Sequence, residues 1–308
     1  MNNSIKILGL VAIIMICSLL IFGTRSITSD LKSQDRDSLK NTSESYQIKA
    51  LKIPSYLEFA GEPVPLDKAE IKERIDRELL VNTYWQSNGL LLFKRSHKYF
   101  PIIEPILEKN GVPDDFKYLA VIESGLQNVT SPAGAKGFWQ IMQGTGKENG
   151  LEINANVDER YHLEKSTQVA CNYIKKAKDH FGSWTMAAAA YNAGITGIAR
   201  KTASQKVDDY YDLLLGEETK RYVPRMVALK EILTNPDKYG FIFEDEDLYS
   251  LEPTKLIEID TVITDIARFS KDFGINYKVL KMHNPWLREN KLNNKSNKLY
   301  YIKIPAEI

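Results

Sequence analysis

A single glutamate, Glu123, lies in a segment whose other periodic positions are apolar. Phe116, Leu119 and Ala120 precede it at helical spacing, so the carboxyl shares a helix face with three apolar side chains. Gly125 predicts the end of this helix, which puts Glu123 in the last turn, near the negative end of the helix dipole. Burial and the dipole both favour the protonated carboxyl. The pattern predicts a general acid that works near neutral pH; a salt-bridged structural carboxylate is the alternative.

Small residues and a proline precede an aromatic pair in the segment Ser131–Met142. This composition predicts a tight loop that brings backbone close to a neighbour and presents Gln140 beside Phe138 and Trp139. Aromatic rings and side-chain amides together bind sugars. The alternative is that both rings pack into the core.

A run of alanines ends in two polar residues in Ala187–Gly194. The alanines permit close helix packing, and Tyr191 and Asn192 stand where the helix must stop before the glycine. Asn192 is either a fixed donor and acceptor for a ligand or a C-terminal cap.

The segment Glu218–Pro224 contains one more candidate, Tyr222. Its phenol could lie against the carboxyl of Glu123 or against the ligand. Equally, it could be a core tyrosine at the start of a helix.

Apolar residues recur at helical spacing through the middle of the chain, and no strand pattern of comparable length interrupts them. After an acidic stretch, the pattern predicts a short strand, two helices and a second strand. The fold class is therefore mainly α with a small βααβ unit at the C-terminus. The predicted elements are helices at Asp67–Trp85, Leu90–Asn110, Pro113–Ser124, Leu163–Phe181, Trp184–Tyr191 and Glu217–Leu233, then Lys255–Asp260 (strand), Thr264–Phe273 and Tyr277–His283 (helices) and Leu299–Ile304 (strand).

Composition excludes several function classes. The 308 residues carry a net charge of +1 and no Lys/Arg run, which disfavours nucleic acid as a partner. No motif calls for a redox or nucleotide cofactor, so none is expected. The two cysteines, Cys17 and Cys171, are not expected to pair, and Cys171 is predicted to be a small core residue. No metal site is predicted, because the four histidines lack ligand spacing: His97, His162, His180 and His283.

The N-terminus predicts a targeting segment. Ile7–Phe22 is an almost unbroken apolar run between Lys6 and Arg25, with a length between that of a signal-peptide core and a full membrane span. No small-x-small cleavage site is evident. We therefore expect residues 1–23 to anchor an exported, periplasmic protein in the inner membrane; a cleaved signal peptide is the alternative.

Four ordered motifs make the chain similar to a known family. They are Glu123-Ser124, Gly137–Ile141, Ala190–Gly194 and Tyr222–Pro224. In this order they resemble the catalytic domain of the family 1 lytic transglycosylases, of the soluble and membrane-bound D type in glycoside hydrolase family 23. The similarity spans roughly Ile102 to Leu233; Phe138-Trp139 departs from the common Leu-Met and could alter the surface that meets the sugar.

The resemblance implies a lysozyme-like helical fold that cleaves the β-1,4 bond between N-acetylmuramic acid and N-acetylglucosamine in peptidoglycan. It implies that Glu123 acts first as acid and then as base, so that the product is a 1,6-anhydro end formed without water. Ser124 would support the carboxyl by hydrogen bonding. The residues implied to hold the sugar and orient the acid are Gln140, Tyr191, Asn192 and Tyr222.

Two other functions remain open on the sequence alone. A lysozyme-type hydrolase needs a second carboxylate beside the bond, and Asp114, Asp115 and Glu148 are the candidates near in sequence. A non-catalytic wall-binding protein with the same fold is the other.

The C-terminal unit has a pattern made of Asp265–Ala267, Phe273–Ile275, Leu280, Asn284–Trp286 and Tyr301–Pro305. Through these residues it resembles a LysM peptidoglycan-binding module, with Ile259-Asp260-Thr261 in place of the usual Gly-Asp-Thr entry. A diverged module that only packs on the catalytic domain is the alternative. The expected organisation is an anchor at 1–23, a flexible tether at 24–50, a catalytic domain with an N-terminal helical extension at 51–240, an acidic linker at 241–254 and a LysM-like module at 255–308.

Overall fold

The computed structural model describes residues 48–307, so the predicted anchor and most of the predicted tether lie outside the described residues. The part from Leu51 onward is one compact unit. Within residues 48–307, no helix has both the length and the apolar character needed to cross a membrane.

Helices build most of this unit, as the sequence predicts. A short antiparallel hairpin comes first, with strands β1 (Glu58–Phe59) and β2 (Glu62–Pro63). Nine α-helices follow between residues 64 and 234: α1 (Ala69–Tyr84), α2 (Gln86–Lys109), α3 (Lys117–Ser124), α4 (Gln143–Glu148), α5 (Leu163–Phe181), α6 (Trp184–Ala193), α7 (Ile195–Gln205), α8 (Glu217–Lys220) and α9 (Tyr222–Thr234).

The alanine-rich helix α6 lies at the centre. Its residues Ala187–Ala190 are fully buried, and their small side chains allow α5 and α9 to pack closely against it. Helix α9 also packs against α1 and α3. This arrangement brings the start of α9 to the end of α3, where Glu123 lies.

The predicted single helix over Glu217–Leu233 is wrong, because the chain breaks at Arg221 into α8 and α9. Pro224 explains the break: it has no N–H to donate to Lys220, and the break moves it into the first turn of α9, where no donor is needed. The freed carbonyl of Lys220 instead accepts a hydrogen bond from Tyr210 Oη at 2.8 Å.

Other boundaries differ for local reasons. The prediction starts α2 after Gly89, but the helix begins at Gln86, so that Gly89 lies inside it. The ring of Phe241 packs on Gly89 so closely that an added Cβ would lie 2.5 Å from the ring. The hairpin β1–β2 and the helices α4 and α7 were not predicted, since each is short or follows a glycine directly.

The predicted βααβ order of the C-terminal unit is confirmed. Strand β3 (Thr254–Ile259) pairs antiparallel with β4 (Tyr300–Pro305), and α10 (Ile266–Asp272) and α11 (Tyr277–His283) lie between them in the chain.

The segment Glu152–Glu164 joins the C-terminal βααβ unit to the part of the protein built from α1–α9. Val157 and Tyr161 belong to the same apolar cluster as the core of the βααβ unit. The Asp158 N–H donates to the carbonyl of Trp286 at 2.9 Å, and the Arg288 N–H donates to that of Asn156 at 2.8 Å. The C-terminal unit therefore packs directly on the helical part.

Candidate active site

Glu123 lies at the end of α3. Gly125 ends the helix in the left-handed conformation, with φ of 59°, as the sequence predicts. The hydroxyl of Tyr222, at the start of α9, donates a hydrogen bond to Glu123 Oε1. Tyr222 is only 2% exposed, so the pair is enclosed on this side.

The surroundings of Glu123 raise its pKa from 4.5 to about 6. Burial is the main cause, since it disfavours the charged form, and the negative charge of Glu218 acts in the same direction. The hydrogen bond from Tyr222 and the positive charge of Arg225 lower the pKa in part. The net result is a carboxyl that exchanges a proton near neutral pH.

Tyr191 lies beside this pair and positions the loop that contains Trp139. Its hydroxyl donates to the carbonyl of Trp139 at 2.7 Å, and its ring meets Tyr173 edge-on with centroids 5.4 Å apart. Burial raises the pKa of Tyr191 well above its usual range, and the charge of Glu123 adds to this. Tyr191 therefore stays a neutral donor.

Ser124 connects α3 to the same loop. Its Oγ lies 2.9 Å from the carbonyl oxygen of Phe138 and 3.1 Å from that of Ala120. Within residues 48–307 it makes no hydrogen bond to the carboxyl of Glu123. Any support it gives to that carboxyl passes through the position of the loop.

The expectation that Phe138 and Trp139 offer a stacking surface to a sugar is wrong. Trp139 is fully buried and donates from Nε1 to Thr167 Oγ1 at 2.8 Å. Phe138 is 4% exposed and packs edge-on against Tyr99. Both rings belong to the core, because partners from α2 and α5 cover them.

Gln140 adopts a left-handed conformation, with φ of 46°. Its Nε2 donates to the carbonyls of Gly137 at 2.7 Å and Val129 at 3.2 Å. Both amide hydrogens are thus used within the loop. The side-chain oxygen accepts no hydrogen bond from residues 48–307, so among these it remains available as an acceptor.

Arg160 organises the loop, although no sequence pattern predicted it. It is buried and ion-paired with Asp158, and its Nη1 donates to the carbonyls of Gly134 and Ile141 at 3.1 and 3.3 Å. Gly137 supplies the predicted close approach, since an added Cβ would lie 2.1 Å from the carbonyl oxygen of Arg160. No sequence motif marks Arg160, because the carbonyls that it binds belong to a separate segment.

Asn192 is held from both ends of its amide. Thr219 Oγ1 donates to its oxygen at 2.7 Å, and its nitrogen donates to Glu218 Oε1 at 3.3 Å. Asn192 therefore joins α6 to α8 and places the exposed carboxylate of Glu218 near Glu123.

The three carboxylates that the sequence suggested as the second acid of a hydrolase are paired with lysines or exposed. Asp114 pairs with Lys117 at 2.5 Å, and Asp115 pairs with Lys230 at 2.7 Å. Glu148 is exposed at the end of α4. Glu218, which was not among the three, is the carboxylate whose charge acts on Glu123.

Comparison with known proteins identifies both parts of the chain. Residues 100–213 match the model of the transglycosylase SLT domain, and residues 255–308 match that of the soluble lytic transglycosylase C-terminal LysM-like domain. The first match includes Glu123 and Asn192 and ends before Tyr222.

Two curated relatives are 31% identical over 220 residues, or 69% of this chain: the membrane-bound lytic murein transglycosylases D of Escherichia coli strains K12 and O6:H1. The chain spans about half the length of these relatives, 47%.

Two solved structures are also similar. One is an inactive mutant of lytic transglycosylase Slt from Pseudomonas aeruginosa, with a TM-score of 0.36 and 17% identity over 49% of this chain and 26% of that one. The other is the 70 kDa soluble lytic transglycosylase of Escherichia coli, with a TM-score of 0.41 and 18% identity over 66% of this chain and 40% of that one. Both TM-scores are low, so neither likeness bears on the function of this chain.

The family matches agree with the fold class predicted from the motifs, a lysozyme-like helical domain followed by a LysM-like unit. Residues 100–213 belong to the transglycosylase SLT family, and residues 255–308 belong to the soluble lytic transglycosylase C-terminal LysM-like family.

Proposed function

We propose that the protein is a peptidoglycan lytic transglycosylase. It cleaves the β-1,4 bond between N-acetylmuramic acid and N-acetylglucosamine without water and leaves a 1,6-anhydro end. The observation that carries the proposal is the carboxyl of Glu123, which is half-buried, accepts a hydrogen bond from Tyr222 and has a pKa of about 6.

Glu123 first donates its proton to the glycosidic oxygen, which becomes the leaving alcohol. The acetamido group of the muramic residue stabilises the positive charge that develops at the sugar carbon. The ionised Glu123 then takes the proton from the muramic 6-hydroxyl, whose oxygen forms the new bond to that carbon. A carboxyl with a pKa of about 6 serves both steps, since it is present in both forms near neutral pH.

The neighbouring polar groups have supporting roles in this proposal. Tyr222 orients the carboxyl, and its hydrogen bond stabilises the ionised form between the two steps. Tyr191 and Ser124 hold the loop in register with α3. Gln140 and Asn192 bind the sugar.

A lysozyme-type hydrolase is the second candidate, and the charge of Glu218 near Glu123 favours it specifically. In that reaction Glu218 would act as a base on water, and the product would be a reducing end.

Digestion of purified sacculi, followed by mass analysis of the muropeptides, distinguishes the two reactions. We expect anhydro ends from the wild type and no cleavage by Glu123→Gln, which keeps the shape of the side chain. Reducing ends would identify a hydrolase, and unchanged cleavage by Glu123→Gln would exclude Glu123 as the acid.

We also propose that the protein acts at the periplasmic face of the inner membrane, held by residues 1–23. The apolar run Ile7–Phe22 supports this location. Fractionation of cells tests it: recovery of the protein in the soluble periplasmic fraction, without residues 1–23, would indicate a cleaved signal peptide.

A further inference from the structure

Lys230 of α9 lies between two carboxylates that belong to different elements. Its Nζ donates to Asp115 Oδ2 at 2.7 Å and forms a second ion pair with Glu58 of β1. The side chains of Lys230 and Asp115 are only 25% and 13% exposed, so solvent and salt screen this pair less than a pair on the surface. The pair links α9 to the start of α3.

Asp115 is itself held in place. It lies in the short turn directly before α3, and its Oδ2 also accepts the N–H of Ala60 at 2.6 Å, from the turn between β1 and β2. Burial alone would lower the pKa of Lys230, but its hydrogen bonds to Asp115 and Glu58 outweigh burial and raise it. Lys230 therefore keeps its charge over the whole pH range in which Glu123 titrates.

The pair of Asp115 and Lys230 has a counterpart at the other end of the same two helices. Asp115 precedes Glu123 by eight residues, and Lys230 follows Tyr222 by eight residues. Because Asp115 binds Lys230 and Glu123 binds Tyr222, α3 and α9 run antiparallel with one polar bond near each end of their contact. Eight helical residues span about 12 Å. Two bonds at that separation fix the offset of α9 along α3 and its rotation about its own axis.

The hydrogen bond from Tyr222 to Glu123 is sensitive to this offset. One residue of a helix corresponds to about 1.5 Å along its axis. A hydrogen bond between two oxygens does not survive a lengthening of about 1.5 Å. The phenol therefore reaches the carboxyl only when α9 is held in its present register against α3.

Lys230 acts on Glu123 through position rather than through its charge. It lies about two helical turns away from Tyr222 along α9. Among residues 48–307, the polar groups that face Glu123 or the end of its helix come from four other helices. They are Arg95 of α2, Tyr191 of α6, Glu218 of α8, and Tyr222 and Arg225 of α9.

We propose that Lys230 is a positioning residue for the general acid: by binding Asp115, it sets the offset between α3 and α9 at which Tyr222 donates to Glu123. The inference rests on the proposed function for its effect on catalysis. The contact between Tyr222 and Glu123 can also be followed without any substrate.

The pKa of Glu123 reports this contact directly. Carbon-13 NMR of the glutamate carboxyls in the full chain measures it, with the resonance of Glu123 identified by its absence in Glu123→Gln. We expect Tyr222→Phe to raise this pKa by about one unit, because the ionised form loses a hydrogen bond. Lys230→Met keeps the length of the side chain without its charge and should raise the pKa by about half a unit, since the bond is weakened rather than removed. Lys230→Arg should restore the value of the wild type.

Two carboxylate variants separate positioning from a general loss of stability. Asp115→Asn weakens the link between α3 and α9, so it should shift the pKa of Glu123 as Lys230→Met does. Glu58→Gln removes the other ion pair of the same lysine but keeps that link. It should lower the free energy of unfolding and leave the pKa of Glu123 unchanged. No shift in Lys230→Met, or the same shift in Glu58→Gln, would overturn the proposal.

A double variant tests whether Lys230 acts through Tyr222. Once Tyr222→Phe has removed the hydroxyl, adding Lys230→Met should cause no further shift in the pKa of Glu123. A further shift as large as that of Lys230→Met alone would mean that the lysine charge acts on Glu123 directly, and the positioning role would be wrong.

Kinetics on solubilised peptidoglycan distinguish this inference from the proposed function. We expect Lys230→Met to lower kcat severalfold and to move the alkaline limb of kcat/KM to higher pH, whereas Glu58→Gln should change neither. An unchanged alkaline limb in Lys230→Met, with an active wild type, would contradict the inference. If the wild type cleaves no peptidoglycan, the proposed function fails, while the NMR titration still decides whether Lys230 positions Tyr222.

Discussion

Opposing influences set the proton affinity of Glu123. Burial and the charge of Glu218 raise its pKa, whereas Tyr222 and Arg225 lower it. A mutation at either kind of neighbour should therefore move the pH dependence in a direction that is known beforehand. Such shifts test the acid role more sharply than loss of activity does.

We expect Tyr222→Phe and Glu218→Gln to shift the alkaline limb of kcat/KM in opposite directions. Loss of the Tyr222 hydroxyl removes a bond to the ionised form, so the pKa of Glu123 rises and activity persists to higher pH. Loss of the Glu218 charge lowers that pKa and moves the limb to lower pH. Rates on solubilised peptidoglycan between pH 4 and 9 measure both shifts.

A shift in the same direction for both variants would contradict this account. Glu217→Gln is a matched control for Glu218→Gln, because Glu217 is the exposed neighbour on α8 and does not act on Glu123.

We expect Glu123→Gln to stabilise the protein above pH 6. A pKa raised from 4.5 to about 6 means that the folded state holds its proton more tightly than the unfolded state, so stability falls as pH rises across this interval. The neutral glutamine escapes this cost, which is about 2 kcal/mol. Urea unfolding at pH 7.5 and pH 4 measures this difference. Glu123→Gln should have a higher free energy of unfolding than the wild type at pH 7.5 and the same free energy at pH 4.

The sequence predicted the proton on Glu123 because the cause is local, namely an apolar helix face that ends at Gly125. It could not predict where the rings of Phe138 and Trp139 lie. Their partners, Tyr99 and Thr167, come from helices far away in the chain. A loop of small residues around two aromatic rings can leave the rings exposed or bury them in the core. Which of the two occurs depends on the tertiary contacts of the rings.

At the scale of elements, the position of α9 depends on Glu78 of α1. This carboxylate is 1% exposed and receives Arg221 Nε at 2.6 Å, with Arg225 Nε at 3.8 Å. Arg221 is the residue at which the chain turns from α8 into α9, directly before Tyr222. The ion pair thus fixes the helix start that carries the Tyr222 hydroxyl to Glu123.

We expect Glu78→Gln to lower the free energy of unfolding by about 3 kcal/mol, since it leaves arginine charges partly buried without a counter-charge. The turnover number should fall as well, because the start of α9 loosens. Chemical denaturation and kinetics measure the two effects.

Arg77→Ala provides the control for Glu78→Gln. Arg77 pairs with the same carboxylate at 2.7 Å, but its side chain is 50% exposed, so its loss should cost less than about 1 kcal/mol. Equal losses for the two variants would show that the burial of Glu78 has no special effect.

At the scale of the whole molecule, the C-terminal unit shares a core with the segment Glu152–Glu164. The sequence predicted a module after an acidic linker and left open whether that module packs on the catalytic domain. Apolar Val157 and Tyr161 join it to the helical part, together with single polar residues such as Asn156. No periodic pattern reveals these residues. The acidic stretch does precede the C-terminal unit, but the contacts between this unit and the helical part are made by the segment Glu152–Glu164.

We therefore expect residues 51–308 to unfold in one cooperative transition that Asn156→Ala shifts as a whole. Asn156 is buried; its Nδ2 donates to the carbonyl of Lys291 at 2.5 Å, and its Oδ1 accepts the N–H of Asn293 at 2.8 Å. Alanine leaves both backbone groups unpaired, at a cost of about 2 kcal/mol and a Tm lower by about 5 °C. Scanning calorimetry checks this, with Asn293→Ala as control because it keeps the N–H that Asn156 binds. Two separate transitions, of which Asn156→Ala moves only one, would mean that the units fold independently.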